Sequence, residues 1–198
     1  MVYVAPPTYA AETKSFNGPM DGDVEVDETY IGGKSKSMHA KDCKARKQYN
    51  KAAVIGVLQR DGELRATHIP SASRQNLHNT VRDNVSTDGR LITDSASVYK
   101  GLKSVYKGLK GEYDHHTVSH TDSEYVRGEI HTNSIESVWA LFKRQVIGTH
   151  HWVSKKHLQS YVNEMAWRFN RRDQEEGERV NGLLKYVEGR LTYAELTA

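Results

Sequence analysis

An α/β fold, a mixed five-stranded sheet flanked by helices, is what this sequence predicts, and three observations predict it. Residues 23–31 alternate apolar and polar side chains, the period of a half-buried strand. Residues 52–59 and 64–69 are apolar runs joined by Arg60-Asp61-Gly62-Glu63, the pattern of an antiparallel hairpin. After position 70, helical periodicity and short strands take turns.

In chain order, residues 1–22 hold prolines and glycines without periodicity and read as an extended arm. Gly32-Gly33 ends the first strand, and the lysine-rich stretch 34–50 reads as a loop. Ser71-Ala72-Ser73-Arg74 starts a helix whose face carries Leu77, Val81 and Val85, and Asp88-Gly89 closes it. Residues 90–93 form a short strand with Asp94 just beyond its apolar part. A helix over 97–106 and a strand over 113–118 follow. From Asn133 the residues Ile135, Val138, Trp139, Phe142 and Val146 make one apolar helical stripe. A turn at 148–153 leads to a helix over 154–170, and a last short helix is expected within 182–192. Three antiparallel strands followed by alternating helices and strands is the order of a ribonuclease-H-like core. In that order the first and fourth strands lie side by side at the centre, with a late helix crossing them. The expected division is an extended arm or linker remnant at 1–22, a catalytic domain at 23–175 and a helical tail at 176–198.

At 198 residues the chain is long enough for one domain with a full core. Its hydrophobic fraction of 37% includes no apolar stretch able to span a membrane. The first residues lack the pattern of a signal peptide, so the expected location is cytoplasmic, associated with the nucleoid. One cysteine, Cys43, excludes an internal disulfide and a multi-cysteine zinc site. Net charge is only +3, but the basic residues cluster. Lys34, Lys36, Lys41, Lys44, Arg46, Lys47 and Lys51 face one acid, Asp42, and Lys143, Arg144, Lys155 and Lys156 form a second group. Such patches suit a polyanion held by its phosphates, and equally a solvated surface.

Three acids stand in separate contexts: Asp27 inside a strand, Asp94 ending one, and Glu136 in the first turn of a helix. Converged, they would make a two-metal phosphoryl-transfer site. Each has a plainer reading. Asp27 shares its face with Glu25 and Thr29 and could point to water from an edge. Asp94 could cap the following helix. Asn133-Ser134-Ile135-Glu136 has the spacing of a capping box, with Asn133 as N-cap. His131 and Asn133 could alternatively shape the site, and Lys143, two turns beyond Glu136, could meet a phosphate. The remaining histidines lack zinc-ligand spacing, and Trp139, Trp152 and Trp167 are expected in the core or at its rim.

The strings V-E-V-D-E-T-Y-I-G-G-K (24–34), L-I-T-D-S-A (91–96) and H-T-N-S-I-E-S-V-W-A-L-F-K-R (131–144) carry a resemblance. With G-T-H-H-W-V-S-K-K-H-L-Q-S-Y-V-N-E (148–164) and W-R-F-N-R-R (167–172), the chain resembles DDE transposases of small bacterial insertion sequences, in the ISXO-like branch. The resemblance runs from about residue 22 to 172. It implies a metal-dependent DNA strand cleavage and strand transfer, with Asp27, Asp94 and Glu136 holding two Mg²⁺ ions, or Mn²⁺. One ion would activate water and then a DNA 3′-hydroxyl, and the other would stabilise the leaving oxygen. Some members use an asparagine as third residue, which keeps Asn133 beside Glu136; His131 is a further accessory candidate. Lys34, Lys143 and Arg144 would contact double-stranded DNA at element ends and target, with a homodimer on the paired ends. Family members normally carry an N-terminal zinc ribbon, so this chain resembles the catalytic domain alone. The alternatives are a nuclease or resolvase on the same fold, or a truncated copy that binds DNA or an intact transposase.

Overall fold

The computed structural model describes residues 18–32, 51–94, 113–118 and 130–184. The expected loop 34–50, the helix 97–106 and the part of the last helix beyond 184 lie outside them. The elements run β1 (Asp23–Ile31), β2 (Ala52–Gln59), β3 (Leu64–Ile69), α1 (Arg74–Asn84), β4 (Arg90–Asp94) and β5 (Asp114–Val118). Then come α2 (Asn133–Gln145), a π-helical turn (Val146–His150), a 3-10 turn (Lys155–His157), α3 (Leu158–Asn170) and α4 (Glu176–Leu184).

The five strands form one mixed sheet in the order β3-β2-β1-β4-β5. β1 pairs antiparallel with β2 and parallel with β4, and β2 and β3 are the expected hairpin. Asp61 sits at φ 55° in its turn, the left-handed region that Asp tolerates better than most residues. β5 adds in parallel beyond β4. The first and fourth strands are therefore neighbours at the centre, and the sheet with its flanking helices is a ribonuclease-H-like α/β fold.

One face is closed by α1. Its N-cap is Ser73, whose hydroxyl accepts from Asn76 N at 3.3 Å, and Leu77 and Val81 enter a core with Val24, Val26, Ile55, Val57 and Leu91. Met20 belongs to this core: its backbone bonds Asn84 O and Ser86 N at 2.7 Å, tying the chain before β1 to the end of α1.

α2 and α3 cover the other face. The expected stripe of Ile135, Val138, Trp139, Phe142 and Val146 is buried, and meets Leu158, Val162 and Met165 of α3 above Val54, Leu58 and Leu64. α3 also closes the open edge of β3. Asn170 accepts from Leu64 N at 2.7 Å and donates to Leu64 O at 2.9 Å, while Gln159 accepts from His68 N at 2.6 Å. Side-chain amides thus satisfy backbone groups that would otherwise invite another strand.

Two expectations are corrected here. The segment after α2 is not a plain turn but a π-helical turn, and His151 then adopts φ 59°. That reversal turns Trp152 outward, 68% exposed, where the apolar pattern had put it in the core or at its rim. Trp139 is buried and Trp167 half-buried, as expected.

Candidate active site

Strand register places the first two acids. In the parallel β1–β4 pair, Glu25 faces Ile92 and Val26 faces Thr93, so one step further puts Asp94 beside Asp27 on the same face. That face is the one α2 crosses. Asp27 is opposite Gly56 of β2, and a Cβ on Gly56 would come within 2.6 Å of the Trp139 ring and 3.1 Å of Ile135 Cδ1. Glycine is therefore what lets α2 lie this close to the sheet, directly beside Asp27.

Asp27 is half-buried and its carboxyl is pushed up to about 7. Burial is the main cause, followed by the charge of Glu28; the charges of Asp94 and Glu136 raise it further, and a backbone hydrogen bond at Glu28 opposes them. Asp94 and Glu136 are therefore both close enough for their charges to reach Asp27. Among the described residues, no group of three or more His, Cys, Asp or Glu side chains is arranged to hold a metal ion. Glu136 is exposed, and its Oε1 accepts from Thr132 Oγ1 at 3.1 Å.

The capping box over 133–136 is not formed. α2 begins at Asn133 with Thr132 as N-cap, one residue earlier than the spacing suggests, and Thr132 makes no side-chain cap bond. The cap comes from a distance instead. Glu25 is fully buried, and its Oε2 accepts from Ile135 N at 3.0 Å in the first turn of α2. A carboxylate there satisfies an orphan donor and meets the positive end of the helix.

Arg60 holds the other oxygen of Glu25. Its Nε donates to Glu25 Oε1 at 2.9 Å, Nη1 to Asp23 Oδ2 at 2.9 Å, and Nη2 to the carbonyl of His131 at 2.8 Å. Asp23 also pairs with Arg90, whose Nε donates to Oδ1 at 2.7 Å. Above all the hydrogen bond from Arg90, and then the charges of Arg90 and Arg60, hold the Asp23 carboxyl below the usual carboxylate range against its partial burial.

The accessory candidates divide. His131 stands against Glu25, with Nδ1 at 3.5 Å from Oε1, in ion-pair range but without a hydrogen bond. Asn133 is exposed at the helix start, where its carbonyl accepts from Ser137 Oγ at 2.8 Å. Lys143 and Arg144 are exposed in the last turn of α2. Lys34 lies outside the described residues. Sequence reasoning missed Arg60, Thr132, Gly56 and the role of Glu25. For Glu25 a signal existed, since its two-residue offset from Asp27 puts both on one strand face.

Sheet order and flanking helices together define a class, that of ribonuclease-H-like proteins. Within it, the chain belongs to the ISXO2-like transposase domain family, whose model matches residues 19–170. No curated protein matches the chain. Membership in this family implies a DNA-acting enzyme with a transposase role. Among the described residues, no helix is long and apolar enough to cross a membrane.

Proposed function

We propose that the chain cleaves DNA strands and transfers them in a divalent-metal-dependent reaction, with Asp27, Asp94 and Glu136 as the acids that serve the metal. The observation that carries this reading is the register, which sets Asp94 beside Asp27 on the face that α2 crosses. The charges of Asp94 and Glu136, which reach Asp27, support it. A carboxyl raised to about 7 mainly by burial, with the charges of Glu28, Asp94 and Glu136 adding to it, suits a divalent cation, which would offset the repulsion and displace the proton.

Asp27 and Asp94 would supply adjacent oxygens from rigid central strands. Glu136 would complete the set from the helix side, on leaving the hydroxyl of Thr132. Two Mg²⁺ ions, or Mn²⁺, would when bound activate the attacking hydroxyl and stabilise the leaving oxygen. The protein's own part is positioning: strands fix two acids, α2 fixes the third, and Lys143 and Arg144 offer charge to DNA phosphates. Double-stranded DNA is the substrate in this reading, with element ends and target as its two roles and a homodimer on the paired ends.

A strand-transfer assay with a labelled DNA 3′-end tests the proposal. Joined product that appears with Mg²⁺, vanishes with chelator and is lost in Asp94→Asn is the expected result. Cleavage without joining would instead mark a nuclease or resolvase on the same fold. Activity surviving Asp94→Asn would sink the assignment.

A further inference from the structure

We infer that Glu25 and Arg60 form a positioning clamp that sets the distance between the strand carrying Asp27 and the helix carrying Glu136. The inference rests on the functional reading above, in which those two acids serve one metal site.

The chain leaves a local alternative unused. A helix start is ordinarily capped by its own N-cap side chain, and Thr132 is chemically able to do so. Here the Thr132 side chain makes no cap bond and its hydroxyl goes to Glu136 instead. The donor at Ile135 is taken by Glu25, 110 residues away in sequence. A cap from within the helix leaves the helix free to shift against the sheet. A cap from β1 fixes the two together, one residue before Glu136 on the helix and two residues before Asp27 on the strand.

Arg60 makes the fixation two-sided. Its guanidinium bonds Asp23 and Glu25 of β1 with two nitrogens and the carbonyl of His131, just before α2, with the third. The planar fork can hold three acceptors at set angles, which a lysine ammonium cannot reproduce. Burying a carboxylate with no solvent exposure is costly, and packing alone would be served as well by an apolar residue. The charge at position 25 therefore answers to the helix start above it. Glu25 and Arg60 are positioning residues, and act on the metal through Glu136.

Mn²⁺ binding to the purified full chain, titrated by electron paramagnetic resonance without DNA, tests the clamp. Glu25→Gln can satisfy only one of its two donors, and Arg60→Lys keeps the charge while losing the fork. Each is expected to weaken Mn²⁺ about tenfold, the lower end for residues that orient metal ligands. In a Glu136→Ala background the same changes should add less than about twofold, because the helix start then carries no ligand to place. Circular dichroism is run on every variant; if Glu25→Gln fails to fold, Arg60→Lys carries the same cycle. An equal loss in both backgrounds overturns the clamp, as does unchanged Mn²⁺ affinity in either single variant or in Glu136→Ala. If Asp27→Asn and Asp94→Asn keep full affinity, the underlying metal-site reading fails. If they lose it while Glu25→Gln and Arg60→Lys do not, only the clamp fails.

Discussion

The two faces of the sheet are built on opposite rules. Under α1 the central strands offer Val24, Val26, Ile55, Val57 and Leu91, and nothing but packing is asked of them. Under α2 the same strands offer Glu25, Asp27, Thr29 and Gly56, a buried carboxylate, a perturbed one, a buried hydroxyl without a hydrogen-bond partner and a missing side chain. A strand can serve both because its side chains alternate, so one residue of offset separates a core from a site. The α1 face thus carries the stability and the α2 face uses it.

The largest effect is expected where chemistry is removed without loss of packing. Asp94→Asn should lower the strand-transfer rate on the order of 10³-fold or more, the loss of several kcal/mol of metal-assisted stabilisation, while the chain stays folded. Leu77→Ala on the opposite side should do the reverse. Leu77 is fully buried against β1 and β2 side chains, so the change should cost about 3 kcal/mol of stability in chemical denaturation. Below its melting temperature the variant should retain strand transfer. If Leu77→Ala abolished the activity of folded protein, or Asp94→Asn cost as much stability, the division between faces would be wrong.

How much of this was legible in the sequence follows the same division. The hairpin, the central β1–β4 pair and the stripe from Ile135 to Val146 were readable because period and turn chemistry are local. The placing of Asp27 beside Asp94 followed from strand order alone. What could not be read was the means of holding α2. The spacing at 133–136 looked like a self-contained cap, yet Glu25 from β1 takes the helix donor, and the helix starts one residue earlier. Arg60 looked like a turn residue, because its acceptors Asp23, Glu25 and His131 are close only once the chain is folded. Trp152 was misplaced for a different reason. A π-helical turn and a left-handed residue break the helical period on which its burial was expected.

A smaller effect of opposite sign concerns Asp27 and pH. Its carboxyl is near 7 in the fold and near 3.8 in the unfolded chain, so the folded state holds the proton more tightly. The stabilisation is full below about pH 3.8 and is lost as pH rises through about 7. In chelator, therefore, stability should fall across that window, and Asp27→Asn should flatten the curve. At pH 8 Asp27→Asn should be more stable than the parent by about 2 kcal/mol, because a charge no longer has to be buried. Asp23 works in the other direction and outside that window. Its carboxyl is held low by Arg90 and Arg60, so its contribution is present above about 3.8 and disappears as pH falls below it. A parent whose stability rises from pH 5 to 8 in chelator would contradict the burial of Asp27.

Gly56→Ala should cost about 1–2 kcal/mol, because the new methyl group meets Trp139 at 2.6 Å in a packed interface. Its signature is the disproportion between stability and function. Lifting α2 away from β2 also moves Glu136 relative to Asp27, so strand transfer should drop by more than the stability loss explains. A comparable loss of stability from the α1 side, by Val81→Ala, should leave the rate of the folded fraction unchanged. Equal rates for the two folded variants would mean that α2 can shift without disturbing the site.

The smallest effect separates the faces by their charges. Lys143 is exposed in the last turn of α2, seven residues and so two helical turns from Glu136. Arg82 is exposed in the last turn of α1, on the far side of the sheet. DNA seated over the acids would lie on the α2 side, and each phosphate neutralised there releases counterions. Lys143→Ala should therefore make the dependence of log affinity on log salt shallower by about 0.9, with affinity weakened evenly across DNA sequences. Arg82→Ala should leave the slope unchanged, since a charge behind the sheet touches no phosphate. The comparison is sharper than either affinity alone. Net charge falls by one in both variants, so a general electrostatic attraction would shift both slopes alike, and only a docked duplex on the α2 side would shift one.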